Sequence, residues 1–469
     1  MNNISRYLPI LSWGKNYSRH MLASDLLAAA IVTVMLIPQS LAYAMLAGLP
    51  PEVGLYASLL PLVVYGIFGT SRTLSVGPVA IISLMTAAAI GSLGAVDPAL
   101  KLALAAALAL VSGALLVVLG LLRLGFLANF LSHPVIAGFI SASAIVIAIS
   151  QLKHLLGIDA SGHNLWQLGQ SLAANISGLH LPTLAVGVGT LGFLVWARAG
   201  LAPLLTRIGL SAPAAGVAAK TGPALVVLIT TILAWQFNWQ ALGVALVGEV
   251  PRALPGVAWP ALSRELWLSL IAPALLIAII GFVESVSVAQ TLAAKRRQRI
   301  EPDQELIALG AANIGAGITQ GLPVTGGFSR SIVNFDAGAQ TPAAGMFTAL
   351  AIALVALSLT PLLAFLPKVT LAATIIVAVL SLVDLSVLKK TWHYSRADFI
   401  AVTSTLILTL LVGVELGIAT GVMLSILIYL LKSSRPHMAI VGQLEGTEHY
   451  RNILRHQVIT HPSILSVRV

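Results

Sequence analysis

The chain contains no cysteine, and only 9% of its 469 residues are charged and 6% aromatic. Without cysteine there is no disulfide, no thiol nucleophile and no thiolate metal site. The ten histidines form no HExxH or other clustered ligand pattern; neither a metal nor a cofactor nor a set of catalytic residues is expected. Charge this scarce does not cover a soluble protein of such length. With 58% hydrophobic residues and a mean hydropathy of +0.96, the composition is that of an integral membrane protein. The few aromatics and the lack of alternating apolar and polar dyads argue against a β-barrel. A formal charge of +10 raises the question of nucleic acid, but the basic residues sit in short loops between apolar runs. There they set orientation rather than build a binding face.

What is present is a series of apolar runs, each long enough to approach the thickness of a hydrocarbon core. About fourteen segments are expected. The first half holds 24–46, 53–69, a short 78–91, 99–122, 130–152, 180–199 and 221–239. The second holds 264–290, 304–319, a short 328–337, 342–365, 369–385, 398–411 and 413–432. With the N-terminus in the cytoplasm, Arg6, Arg72, Arg123, Lys220, the "KRRQR" run at 295–299, Lys389, Lys390 and Arg435 all fall inside. Lys101, Lys153, Arg252, Arg264 and Lys368 fall outside. That bias predicts a multi-pass protein of the bacterial inner membrane with both termini cytoplasmic, and no cleavable signal peptide is evident.

Expected domains are a cytoplasmic segment 1–23, a first repeat 24–240, an extracellular connection 241–263, a second repeat 264–432 and a linker 433–469. The two short segments carry the argument for a repeat. Each follows a Gly/Pro/Ser/Thr stretch: "GTSRTLSVGPVAIISLM" (69–85) and "GLPVTGGFSRSIVNF" (321–335). Gly77 lies 38 residues after Gln39, and Gly327 lies 43 residues after Glu284. Similar spacing of polar points in the two halves suggests duplication. An odd number of segments per half makes the second copy inverted. Paired interrupted segments point to a binding site at the bilayer midplane, where irregular backbone survives only if protein-buried or lining a cavity. The competing reading is ordinary loops between helices.

The stretches "IPQSLAYAMLAGLPPEVGLY" (37–56), "SVGPVAIISL" (75–84) and "TGGFSRSIVNFDAGAQTP" (325–342) together resemble the sulfate permease (SulP) family of anion transporters. The resemblance runs roughly from residue 5 to 432. It implies an all-α polytopic fold of the UraA-like kind, a seven-plus-seven inverted repeat with short strands before half-helices 3 and 10. It also implies a core domain (segments 1–4 and 8–11), a gate domain (5–7 and 12–14) and a cytoplasmic C-terminal STAS domain. Residues 436–469 resemble the start of that domain, so the chain is expected to be truncated or partial there. A homodimer is expected.

In such a site the N-termini of helices beginning near Pro78 and Phe328 would converge from opposite faces, presenting free N–H donors and positive dipole ends to an anion. Gly77, Gly326 and Gly327 would let the backbone approach, and Pro78 would lose no needed hydrogen bond at a first-turn position. Val79 and Ala80 open the first half-helix, and Phe328 and Ser329 the second. In the resembling family Ser329 matches a pocket serine; its hydroxyl could instead back-bond within the helix. Arg330, costly at membrane depth, should have an acidic partner or an anion nearby, and a purely structural ion pair is the alternative. Gln39 and Tyr43, four residues apart, share a helix face; Gln39 could donate to an oxyanion and Tyr43 could wall the pocket. Relatives often place a phenylalanine at the Val79 position, which leaves pocket size open.

Glu284, well inside "LLIAIIGFVESVSVAQTL", is an intramembrane carboxylate and so a functional candidate. Relatives carry a glutamate here associated with proton coupling; the alternative role is charge compensation for Arg330. Ser24 with Asp25, and Asp303, are expected to cap helices, and Glu52 to sit in a first turn. The function expected is secondary active transport of a small inorganic oxyanion, sulfate first, by proton symport. Bicarbonate, a C4-dicarboxylate or uncoupled chloride flow are the alternatives.

Overall fold

The fold was read from a computed structural model that describes residues 7–126, 133–162, 164–434 and 438–468. Arg6, Arg435 and the expected start of a segment at 130 lie outside the described residues. In the first half, α1 (Arg19–Leu46) is followed by two short helices, α2 (Pro51–Tyr56) and α3 (Leu60–Phe68). Strand β1 (Val76–Gly77) leads into α4 (Ala80–Ser92), then α5 (Pro98–Leu121) and α6 (His133–Leu156). A surface helix α7 (Leu165–Ala174) precedes α8 (Leu181–Arg207), α9 (Ala212–Ala219) and α10 (Gly222–Gln236).

The second half repeats this order. Helices α11 (Arg264–Ser269) and α12 (Ile271–Lys295) make one long apolar span, followed by α13 (Pro302–Ile318). Strand β2 (Thr325–Gly326) leads into the second half-helix, α14 (Phe328–Asp336), just as β1 leads into α4. Then come α15 (Ala343–Ser358), α16 (Lys368–Leu380), α17 (Ser386–Tyr394), α18 (Arg396–Leu411) and α19 (Val414–Ser434). Among the described residues the expected apolar segments are helical, although 53–69 is divided between α2 and α3. Among the described residues, seven helices are long and apolar enough to cross a membrane, and α4, α10, α15 and α16 are shorter apolar helices. The C-terminal residues form a small sheet in which β3 (Ala439–Gln443) lies between β4 (Tyr450–Asn452) and β5 (Val467–Arg468).

The crossing of β1 and β2 organises the centre. They pair antiparallel, Val76 opposite Gly326 and Gly77 opposite Thr325. Because the strands oppose, the half-helices leave them in opposite directions, and each has a partner surface already built. Helix α5 packs along α13, and α1 touches both half-helices. Close packing of α5 on α13 depends on small residues: a Cβ added to Gly113 would lie 2.7 Å from the Gly310 carbonyl, and one on Gly310 2.7 Å from the Gly113 carbonyl.

Helix α1 runs unbroken through Pro38. The turn after it uses Gly48 at φ +74°, a conformation that side chains disfavour. In α2, Gly54 lies directly against the Ser40 carbonyl, where no Cβ would fit, and Ser58 bridges the Gly54 carbonyl and the Ser40 hydroxyl. Glu52 sits in the first turn of α2, as expected.

Two capping expectations fail. Helix α1 begins a turn earlier, with the Ser18 hydroxyl accepting from the Met21 N–H. Asp25 is instead fully buried, accepting from the Gln340 and Thr341 N–H groups and from the Thr341 and Tyr17 hydroxyls. Burial and the Asp25 charge hold the Tyr17 phenol well above its ordinary value. Asp303 lies inside α13, and its carboxylate accepts from the Gly125 N–H at 2.8 Å. In both cases a distant backbone segment outcompetes the local helix end for the carboxylate, which a local pattern does not reveal.

Candidate anion site between the half-helices

Both half-helices start without a side-chain cap: Val79 precedes α4, Gly327 precedes α14, and neither helix end receives a side-chain hydrogen bond. The first-turn N–H groups are therefore available to a ligand, with the positive dipole ends behind them. Helix α4 begins at Ala80, so Pro78 stands before its cap rather than in its first turn. There Pro78 supplies its carbonyl instead, accepting from Nη1 of Arg330 at 2.7 Å.

Arg330 is 2% exposed, and its Nε and Nη2 have no hydrogen-bond partner. No carboxylate lies within ion-pair distance of it among the described residues, so the expected acidic partner is not in contact. Glu284, on α12, is likewise unengaged: its Oε2 is buried without a partner. Tyr43, Glu284 and Arg330 lie within electrostatic reach of one another. A buried guanidinium with two free nitrogens is costly unless something anionic meets it.

The backbone around the guanidinium is closely fitted. A Cβ on Gly327 would lie 2.8 Å from Arg330 Nη2, and one on Gly77 3.3 Å from the same atom and 3.7 Å from Leu36 of α1. Gln39 is half-buried on α1, and Tyr43 is 7% exposed one turn further on. Neither the Gln39 amide nor the Tyr43 hydroxyl has a hydrogen bond to protein among the described residues. Val79 and Ala80 are buried, whereas Phe328 and Ser329 are exposed, Phe328 by 46%. The Ser329 hydroxyl does not back-bond to its own helix.

A layer of hydroxyl and amide groups that sequence reasoning missed fixes the strand crossing. Ser331 Oγ accepts from the Ser75 N–H at 2.9 Å and donates to the Gly327 carbonyl, and Asn334 donates to the Thr73 carbonyl at 3.0 Å. Ser285 of α12 accepts from the Gly326 N–H at 2.8 Å and meets the Thr325 hydroxyl at 2.6 Å. Asn313 of α13 exchanges two bonds with the Val324 backbone. The available signal was the placement of Ser331 and Asn334 at i and i+3 on a polar half-helix. At the far end of α14, Arg296 donates to the Phe335 and Ala339 carbonyls and stacks on the Phe335 ring 4.3 Å from its centroid. A cation at that C-terminus complements the helix dipole.

The crossing gathers uncapped half-helix amides from two sides and one partly unpartnered guanidinium, a donor set that suits a small, compact anion. The sulfate permease family pattern matches residues 22–405, and the chain belongs to this family. It is an anion transporter and a multi-pass membrane protein, not an enzyme. It is 37% identical to "Sulfate transporter 4.1, chloroplastic" of Arabidopsis thaliana over 99% of this chain and 67% of that protein. A "Probable sulfate transporter" of Mycobacterium tuberculosis is 36% identical over 92% of this chain and 74% of its own length. Among solved structures, SLC26A9 superposes with a TM-score of 0.85 at 25% identity, over 97% of this chain and 73% of that one. The transmembrane domain of the cyanobacterial bicarbonate transporter BicA gives 0.72 at 20% identity, over 87% of this chain and 98% of that one, a likeness of fold.

Proposed function

We propose that this chain carries sulfate by proton symport, binding the anion between the two half-helix N-termini. One observation carries the reading: Arg330 is buried at the crossing with Nε and Nη2 unpartnered. A dianion there would take up the free guanidinium donors and the uncapped amides together, and both types of donor bind oxyanions well. Gly77 and Gly327 let the guanidinium lie close against the backbone, while Gln39, Tyr43, Val79, Ala80, Phe328 and Ser329 line the approach. The sulfate-transporter names of the relatives support the choice of substrate.

Glu284 supplies the coupling. An unengaged, half-buried carboxylate close to a cationic site changes the local charge when it takes up a proton, so anion and proton occupancy are linked without direct contact. The halves 24–240 and 264–432 are read as inverted repeats joined by 241–263, with 1–23 and 433–469 cytoplasmic. A core carrying both half-helices slides against a gate, exposing the site alternately as in an elevator. The protein would work as a homodimer in a bacterial inner membrane.

Flux into proteoliposomes tests this. Labelled sulfate should accumulate against its gradient when the proton gradient is inward, and unlabelled sulfate should compete better than bicarbonate or fumarate. Chloride current without coupling would overturn the transporter reading, and preferential competition by bicarbonate would reassign the substrate. Glu284→Gln should lose the proton dependence while still binding sulfate. Proton-driven uptake persisting in that variant removes Glu284 from the coupling role.

A further inference from the structure

Away from the crossing, a cavity of about 610 Å³ opens where several apolar helices end. Its wall includes Gly69 and Thr70 after α3, Gly120 and Arg123 at the end of α5, and Asp303 in the first turn of α13. The segment before α1 closes it with Tyr7 and Trp13. A cavity bounded by the ends of spanning helices lies at the depth of lipid headgroups.

Three guanidiniums line this space: Arg72, Arg123 and Arg299. None has an ion-pair or hydrogen-bond partner among the described residues. On the same wall the Trp13 indole nitrogen is buried and has no acceptor. Two carboxylates face the cavity, Glu301 and Asp303, the latter accepting from the Gly125 N–H, so the guanidiniums outnumber them three to two. The buried Glu305 behind Thr70 is satisfied by Tyr65, Thr70 and Ser71 and adds no free acceptor. Arg123 is also held at φ 58°, an uncommon conformation for a side-chain-bearing residue. The surplus is of donors, in the planar forked form that matches phosphate oxygens.

The surroundings favour a lipid over a soluble phosphate. Leu121 and Leu122, beside Gly120 and Arg123, are 60% and 64% exposed, and Leu11, beside Ser12 of the wall, is 43% exposed. Apolar side chains flanking a cationic pocket at helix ends match acyl chains below a headgroup. We propose that this cavity binds the phosphate headgroup of an acidic phospholipid, with Arg72, Arg123 and Arg299 on the phosphate oxygens and the Trp13 indole N–H donating to the same group. The assignment is independent of which anion the protein carries.

The test uses the full chain in nanodiscs of phosphatidylcholine with added phosphatidylglycerol, and counts retained lipid by native mass spectrometry. Wild type should retain phosphatidylglycerol in preference to phosphatidylcholine. Arg72→Gln/Arg123→Gln/Arg299→Gln should retain about tenfold less, the equivalent of roughly 1.4 kcal/mol. Should that variant fail to fold, the triple lysine variant keeps the charge but not the fork and should fall between the two. Trp13→Phe, which removes only the indole N–H, should lower retention about threefold. Equal retention of the two lipids, or equal retention by wild type and every variant, would overturn the site. Displacement of the lipid by soluble glycerol phosphate at equal concentration would assign the cavity to a free phosphate ester and overturn the lipid reading.

Discussion

The two half-helices each follow one strand of the central β1–β2 pair and differ sharply in chemistry. Helix α4, "AIISLMTAAAIGS", is apolar and contributes a dipole end, bare amides and the Pro78 carbonyl before it. Helix α14, "FSRSIVNFD", is shorter and polar, carries the charge, and through Ser331 and Asn334 also holds the strand leading into α4. A pair of convergent helix ends supplies amides and dipole ends from two sides. The chemistry need be present only once, because a single guanidinium reaches across the crossing to the Pro78 carbonyl. One positive charge at the site also limits the desolvation that an empty carrier must tolerate, since each buried ion costs several kcal/mol.

Substitutions can break this asymmetry, and their effects should fall in order. Arg330→Ala removes the charge from α14 and about 2–5 kcal/mol of anion interaction, so uptake at subsaturating sulfate should drop at least ~30-fold. On α4, Ser83→Ala alters a buried hydroxyl without a partner and should change uptake less than about threefold. Gly327→Ala places a Cβ 2.8 Å from Arg330 Nη2 and Gly77→Ala one at 3.3 Å. The first should therefore weaken sulfate binding clearly more than the second, and a reversed order in a binding titration would contradict the arrangement.

Ser331→Ala strands the Ser75 N–H, and Ser285→Ala strands the Gly326 N–H. Each should cost about 1–3 kcal/mol of stability, seen as earlier thermal unfolding, with a smaller effect on affinity. The smallest effect belongs to Lys220→Ala. It breaks the partly exposed ion pair with Asp336 that ties α14 to the connection before α10. Such pairs contribute about 0–1 kcal/mol, so thermal stability should hardly move.

The membrane class, the helix positions and the two interrupted segments were legible in the sequence because each depends on local composition and on Gly and Pro. The contact of α1 with both half-helix segments rests on local features, helix ends and i to i+4 spacing, that the sequence displays. Long-range polar contacts were not legible. Asp25 reads as a cap but reaches Gln340 and Thr341, and Asp303 reads as a cap but holds Gly125. The same limit hid Ser331, Asn334 and Ser285, whose partners lie tens to hundreds of residues away. Arg330 was expected to meet an acidic partner or an anion; its protein partner is a backbone carbonyl, and Nε and Nη2 have none.

The central claim is that one buried guanidinium on the second half-helix holds the anion. Calorimetric titration of sulfate into wild type and Arg330→Ala, without gradients and at about pH 6 and pH 8, tests it most directly. The account predicts binding at least ~30-fold weaker in the variant at both pH values, the counterpart of the lost charge-assisted contacts. Wild-type affinity in a folded Arg330→Ala protein would contradict it, and would leave Arg330 a purely structural link to Pro78.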